Sequence, residues 1–318
     1  MKISMILCTR NRAAQLHGCL AKMAQVEPSR RDVEFVIVNN GSTDNTSEVV
    51  AAFAKSAPFD VRLCEAPQPG LARARNAGLA ASTGELIFFT DDDCYLEDGF
   101  FTKFERAVQA SGLEYGGGQV LLYSPDDDER VANLKVTELS LVPAHTPVVP
   151  AGVIQGANMF YFRKVFDAAG PFDSNLGAGT AFPCEDIEMV ARASRHGFTG
   201  GQVPGFTVLH HHTRLRGSPE ANKTILEYDR GRGAYYAGLL TAGVAEAWPS
   251  WWSQTYVQGH GSDREKIERL CRELKGAAEY LEFMLASPDF MPAPMKSIGI
   301  KEEASALFQK IKRRVLPN

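Results

Sequence analysis

The run Leu86-Ile-Phe-Phe-Thr-Asp-Asp-Asp-Cys94 constrains this chain more than any other stretch. Apolar residues pass directly into three consecutive carboxylates, the pattern of a buried parallel strand whose C-terminal end meets solvent. Open α/β sheets bind ligands beyond that end of their strands. Asp91 and Asp93 lie two apart on a chain leaving an extended strand, so they can point the same way. That suits a hard divalent cation, Mn²⁺ or Mg²⁺, which also holds phosphate oxygens. A loop that only caps the next helix needs one acid, and three adjacent like charges repel.

The residues before it repeat a simple alternation. Lys2–Cys8, Val33–Val38 and Val61–Glu65 read as strands. Ala13–Gln25 has helical spacing (Leu16, Leu20, Met23), and a second helix runs through Phe53 after Ser42, Thr43 and Asp44, which can cap it. Gly70–Ser82 makes a third helix, stopped at Gly84. Strands alternating with helices at this spacing predict a right-handed parallel α/β sheet. Three strand ends then converge on one crevice: Thr9–Arg12 with cations, Asn39–Asp44 with amides and hydroxyls, and Asp91–Asp93 with carboxylates. The mixture suits a nucleoside diphosphate. Arg73 and Arg75 point in different directions on their helix, so one of them reaches the crevice. Neither a G-x-G-x-x-G after the first strand nor a P-loop is present, which argues against dinucleotide and P-loop enzymes.

Thr9-Arg-Asn-Arg12, Asn39-Asn-Gly-Ser-Thr-Asp44, and Ala74-Arg-Asn-Ala-Gly78 leading to Thr90-Asp-Asp-Asp-Cys94 stand in an order and spacing that resemble a family 2 glycosyltransferase. The resemblance implies a GT-A-type fold: a Rossmann-like mixed, mainly parallel sheet flanked by helices. It also implies a nucleotide-sugar donor, a UDP- or dTDP-sugar, held by Thr9, Arg10, Asn11, Arg12, Asn39, Asn40, Asp44, Arg75, Asn76, Asp91 and Asp92. Cys8 stands where the family usually has proline, and Asn39 where it often has aspartate. Asparagine both donates and accepts, which leaves the choice of nucleotide open.

Phe100–Ser111 reads as a helix and Tyr115–Tyr123 as a strand. Ser124–Arg130 reads as a solvated acidic turn, and the proline-rich Val142–Val153 as a loop or edge strand on the acceptor side. A Gly156–Phe162 strand, the Gly170-Pro-Phe-Asp173 turn and a Cys184–Arg195 helix follow, an order that resembles the acceptor-binding half of the same family. It implies Asp186 as the base for an acceptor hydroxyl, with Glu185 next in line. Acids at a helix start also complement its dipole. In His210-His-His212, the outer two share a face of an extended chain, and one of them is expected to join Asp91 and Asp93 on the cation, His210 on the family pattern. Glu227–Gly238 has helical spacing and either closes over the diphosphate or packs as a C-terminal helix.

Three tryptophans cluster in Trp248–Trp252, a satellite hydrophobic cluster or a sugar-stacking face. A long helix over Ser262–Met284, a proline-rich break and a final helix from Lys301 complete the chain. That last helix places Ala304, Leu307, Phe308, Ile311 and Val315 on one face with Lys310, Lys312, Arg313 and Arg314 toward its end. Such a stripe docks on the domain or meets an anionic membrane surface.

The expected organisation is therefore a catalytic domain over 1–215, divided into a nucleotide-sugar half (1–112) and an acceptor half (113–215), with a helical extension over 216–318. The expected activity is inverting, metal-dependent sugar transfer to a glycan or lipid-linked acceptor. Its rivals are a sugar nucleotidyltransferase, which would carry a glycine-rich loop after strand one, and a non-catalytic nucleotide-sugar-binding protein. A net charge of -4 gives no basic surface for nucleic acid. No apolar run reaches membrane-span length, Met1–Leu7 reads as a strand rather than a signal peptide, and the six cysteines lack paired spacing. These features predict a cytoplasmic protein whose tail either docks on the domain or makes peripheral contact with the membrane.

Overall fold

The computed structural model describes residues 1–293 except Pro28, Arg31 and Asp289. The expected final helix and its basic stripe lie outside the described residues. Four strands open the chain: β1 (Ile3–Thr9), β2 (Val33–Asn39), β3 (Asp60–Glu65) and β4 (Leu86–Asp91). They are linked by helices α1 (Ala13–Val26), α2 (Thr46–Ser56) and α3 (Leu71–Ala81) and pair in parallel in the order β3-β2-β1-β4. Both faces of β1, β2 and β4 are mainly apolar because helices cover both, whereas the edge strand β3 is largely exposed. Met5, Leu7, Phe35, Ile37 and Phe88 pack with α1 and α4 (Phe100–Ser111), while Ile6, Val36, Val38, Ile87 and Phe89 pack on the α3 side.

The rest of the sheet is built differently. It contains β5 (Cys94–Leu96), β6 (Tyr115–Leu122), β7 (Ser140–Val142), β8 (Met159–Phe162) and β9 (Gly200–His210). The full order is β3-β2-β1-β4-β8-β6-β9-β5, with β7 beside β9. β8 runs antiparallel between β4 and β6, β6 is parallel to β9, and β5 and β7 are antiparallel to β9. The sheet is therefore mixed: four parallel strands from the N-terminal half, then a second parallel pair, β6 and β9, among antiparallel neighbours. The strand expected over 156–162 is divided: Gly156–Asn158 form a 3-10 turn and only Met159–Phe162 pair.

Helices α5 (Arg163–Ala169) and α6 (Glu185–Arg195) precede the extension of α7 (Pro219–Thr241), α8 (Ala247–Trp252) and α9 (Asp263–Leu285). Glycines let α7 fit between two neighbours. A Cβ at Gly233 would lie 1.9 Å from the Glu273 carbonyl oxygen on α9, and one at Gly231 would lie 2.0 Å from that of Pro183, just before α6. Trp251 is buried and stacks on Tyr236 with ring centroids 5.1 Å apart, whereas Trp248 and Trp252 are exposed on the surface. Of the three, only Trp251 joins the buried core.

One expectation is corrected. The acidic loop after β6 is not a solvated turn, since Asp127 and Asp128 are each only 1% exposed. Asp128 accepts from Arg130 Nη2 at 2.6 Å and from the Gly217 amide at 3.2 Å, and Asp127 Oδ2 lies 3.1 Å from His211 Nδ1. These carboxylates pin the loop that follows β9.

Candidate active site

Sheet register brings the three strand ends level. Thr9 stands opposite Asn39 on β2, and Cys8 opposite Asp91 on β4. On the other side of the crevice, Cys94 stands opposite His210. The result is one cavity of about 580 Å³ whose lining includes Thr9, Arg10, Arg12, Asn40, Arg75, Asp91–Asp93, Glu185, Asp186 and His210.

The three carboxylates do different things. Asp92 is turned into the wall, where Oδ2 accepts from the Thr9 hydroxyl at 2.6 Å and Oδ1 meets Arg12 Nη1 at 2.7 Å. Burial pushes its carboxyl up to about 7, against the pull of Arg12. Asp93 meets Arg12 Nη2 at 2.9 Å and lies 3.0 Å from His210 Nε2. Its burial would raise the carboxyl, but His210 and Arg12 outweigh that and hold it well below the carboxylate range. Burial likewise lowers the His210 imidazole, and Asp93 and Asp91 overcome it to leave the pKa raised. Asp91 is the most open of the three, with 32% of its side chain exposed and Arg75 Nη2 at 3.8 Å. Arg12 is the internal counterion of this acidic run.

Ligand atoms of Asp91, Asp93, Cys94 and His210 all fall within 4.8 Å of one another. His210 Nδ1 is buried without a hydrogen-bond partner, and Asp93 Oδ1 is buried with only the His210 ring, 3.0 Å away, to meet it; a cation would engage groups of this kind. The donor set therefore fits a divalent metal. Cys94 was not signalled by the sequence as a ligand; burial holds its thiol well above the ordinary range, so the oxygen and imidazole donors suit a hard cation better. His212 is outside this group: its Nδ1 accepts from the Arg214 amide at 3.1 Å.

Several residues expected to touch a nucleotide brace the backbone instead. Asn11, at φ 53°, accepts from the Thr43 amide at 2.7 Å and clips the first loop to the second. Asn39 accepts from the Ser42 amide at 2.9 Å and donates to Ser47 Oγ at 2.8 Å. Asp44 joins the starts of α1 and α2 through the Ala13 and Thr46 amides at 3.0 and 3.2 Å. Asn76 exchanges hydrogen bonds with the Phe172 backbone at 2.8 and 2.9 Å. None of these four lines the cavity, whereas Asn40 and Arg10 do.

Of the two α3 arginines, Arg75 reaches the crevice and Arg73 turns to the Pro69 carbonyl. Arg75 Nη1 meets Glu185 Oε1 at 2.5 Å, with both side chains buried. Full burial still pushes the Glu185 carboxyl up to about 7, because Asp186 and Asp91 add negative charge nearby. Asp186 is half-buried and open to the crevice. Its Oδ2 accepts from the Gly156 amide at 3.1 Å and its Oδ1 from the Ile187 amide at 2.8 Å, leaving lone pairs for a further proton donor. The lining also includes residues with no local motif: Arg130, Arg214, and Tyr228 and Arg232 of α7.

This arrangement can hold a cation among carboxylates and accept a proton at Asp186 within one crevice. Comparison with known proteins agrees in fold. The chain is 24% identical over 197 residues to glycosyltransferase AglE of Haloferax volcanii, covering 62% of each chain. It therefore spans less than two thirds of that relative's length. Mannosyltransferase PcManGT of Pyrobaculum calidifontis, solved with GDP-Man and Mn²⁺, is similar with a TM-score of 0.58 at 18% identity, over 100% of this chain and 81% of that one. Residues 1–349 of TarS from S. aureus, solved with UDP-GlcNAc, give 0.52 at 13% identity, over 91% and 93%. The family described as "Glycosyl transferase family 2" matches residues 4–170. With that match across more than half its length, the chain belongs to glycosyl transferase family 2.

Proposed function

We propose that this protein is an inverting glycosyltransferase that moves a sugar from a nucleoside-diphosphate donor, a UDP- or dTDP-sugar, to an acceptor hydroxyl. The observation that carries this reading is the pairing, in one cavity, of the Asp91, Asp93 and His210 donor group with the open carboxylate of Asp186. Asp91, Asp93 and His210 would hold Mn²⁺ or Mg²⁺, which when bound supplies Lewis-acid stabilisation of the departing diphosphate. Asp186 accepts the acceptor's hydroxyl proton as the hydroxyl oxygen bonds to the anomeric carbon and the bond from that carbon to the diphosphate oxygen breaks. The Gly156 amide orients the Asp186 carboxylate, and Arg75 keeps Glu185 engaged behind it. PcManGT with GDP-Man and Mn²⁺, and TarS with UDP-GlcNAc, support a nucleotide-sugar donor by analogy of fold. The acceptor belongs to glycan or glycoconjugate synthesis and is a glycan or a lipid-linked sugar. A cytoplasmic site of action at the membrane face fits that acceptor class; among the described residues no helix is long and apolar enough to cross a membrane. Nucleotidyl transfer and mere donor binding are the less favoured readings, given the family match and the open Asp186.

The test is calorimetric titration with UDP, dTDP and GDP in the presence of Mn²⁺ or EDTA. One nucleotide should bind at least about tenfold more tightly with metal, because its phosphates complete the cation's shell. Asp93→Ala should abolish that gain. Equal affinity with and without metal would remove the metal-dependent reading.

A further inference from the structure

Most arginines that line the crevice are already held by carboxylates: Arg12 by Asp92 and Asp93, Arg75 by Glu185, Arg130 by Asp128 and Arg232 by Glu273. Arg214 differs. It ends the loop His210-His-His-Thr-Arg214 after β9 and is half-buried in the same lining. Among the described residues, none hydrogen-bonds or ion-pairs with its guanidinium. Its backbone, by contrast, is fixed from two sides. The Arg214 amide donates to His212 Nδ1 at 3.1 Å, and the Arg214 carbonyl accepts from the Asp128 amide at 2.8 Å. His212 is only 2% exposed. Thr213, between the two, has φ 59°, a left-handed conformation that β-branched residues avoid.

Strain of this kind persists only where its surroundings over-determine it, and here the strained turn delivers the Arg214 side chain to the crevice. The positive charge acts on His210 and His212, and after burial it is the leading influence on the Tyr228 hydroxyl of α7. The guanidinium therefore lies near the Asp91, Asp93 and His210 group as well as near α7. A half-buried charge without a partner is costly, and a cation held beside it would repel it unless an anion lay between them. A guanidinium meets phosphate oxygens two at a time. When the sugar–phosphate bond breaks, its electron pair goes to the diphosphate oxygen, and a divalent ion offsets only part of the resulting charge. Resting on the reading above, we infer that Arg214 binds the donor diphosphate beside the cation group and stabilises it as it departs, with His212 as the positioning residue for Arg214. The third histidine of the run thus acts through a backbone amide rather than on a metal.

The probes are UDP, dTDP and GDP, titrated calorimetrically into the full-length chain in Mn²⁺ and again in EDTA. The nucleotide that binds the wild type should bind Arg214→Ala about tenfold more weakly in both conditions, the loss of one charge-assisted contact pair. Arg214→Lys should recover part of that loss, as a point charge without the planar fork. His212→Ala should lose about threefold, whereas His212→Asn, whose side-chain oxygen accepts from the Arg214 amide, should stay within about twofold of wild type. The gain from Mn²⁺ should persist in all four variants, since Asp91, Asp93 and His210 are intact; a general disturbance of the loop would reduce it. His212 is buried, so urea unfolding checks its variants, while Arg214 has no side-chain partner to strand and carries the test by itself. Wild-type affinity in Arg214→Ala overturns the inference, and so does a loss confined to Mn²⁺, which would show the charge acting only through the cation group. Equal losses in His212→Ala and His212→Asn, or none in His212→Ala, overturn the positioning role. Should none of the three nucleotides bind the wild type, the donor reading fails and the inference falls with it. Should one bind every variant alike, the donor reading stands and the inference alone is overturned.

Discussion

Arg75 Nη1 and Glu185 Oε1 meet 2.5 Å apart with their side chains 3% and 7% exposed, joining α3 of the donor half to the start of α6. Phe172 adds a ring under the guanidinium, 5.6 Å from its centre. Removing one member of such a pair strands a buried charge. Arg75→Ala is expected to cost about 3–5 kcal/mol in urea unfolding, and Arg75→Met with Glu185→Leu much less. Additive losses in the double variant would show that the two residues do not act as a pair.

Asp186 and Glu185 are adjacent, but only Asp186 has an open carboxylate. Asp186→Asn keeps the shape and cannot take a proton, so turnover should fall by about 10²- to 10⁴-fold while nucleotide affinity is kept. The comparison is single-turnover transfer beside calorimetry. A variant that folds and turns over normally places the base elsewhere.

The histidines separate in the same way. His210→Ala should weaken the response of nucleotide binding to Mn²⁺, since an imidazole donor is lost from the group with Asp91 and Asp93. His212→Ala should leave the Mn²⁺ response intact, because that ring accepts from the Arg214 backbone. Identical metal titrations for both variants would contradict the assignment.

Acid stability should depend on Glu34. Burial would raise this carboxyl, but Ser4 Oγ at 2.6 Å, the Thr83 amide at 2.5 Å and Lys2 outweigh it and lower it to about 2. The folded-state pKa lies below the unfolded value, so its stabilisation is full above the unfolded pKa near 4.5 and fades as pH falls toward about 2. Urea midpoints measured across that window should fall more steeply for wild type than for Glu34→Gln. At neutral pH the variant should lose about 1–3 kcal/mol, the cost of disturbing a buried charged acceptor. Parallel pH curves would dismiss Glu34 as the source.

Strands β1, β2 and β4 were legible because Ile3–Thr9, Val33–Asn39 and Leu86–Asp91 are mainly apolar runs with turn residues between them. The antiparallel insertion of β8 was not, since Met159–Phe162 is equally apolar whichever way it runs. The internal roles of polar loop residues were not legible for a related reason. Asn39, Asp44 and Asn76 have the chemistry of ligand contacts, and backbone amides close by claim it first. Asp127 read as solvated because its partner His211 is 84 residues away, beyond any local pattern. Arg232 is the same case: its partner Glu273 is 41 residues further on.

The glycine contacts that seat α7 against Pro183 and against α9 have a consequence for how this protein could diversify. The helix is locked in place by its small residues, while the side chains it offers the crevice, Tyr228 and Arg232, lie at other positions along it. Tyr228 can be exchanged without altering those glycines, whereas Arg232 stands between Gly231 and Gly233 and holds the buried Glu273. This part of the crevice lining can therefore vary at Tyr228 while the helix keeps its seat.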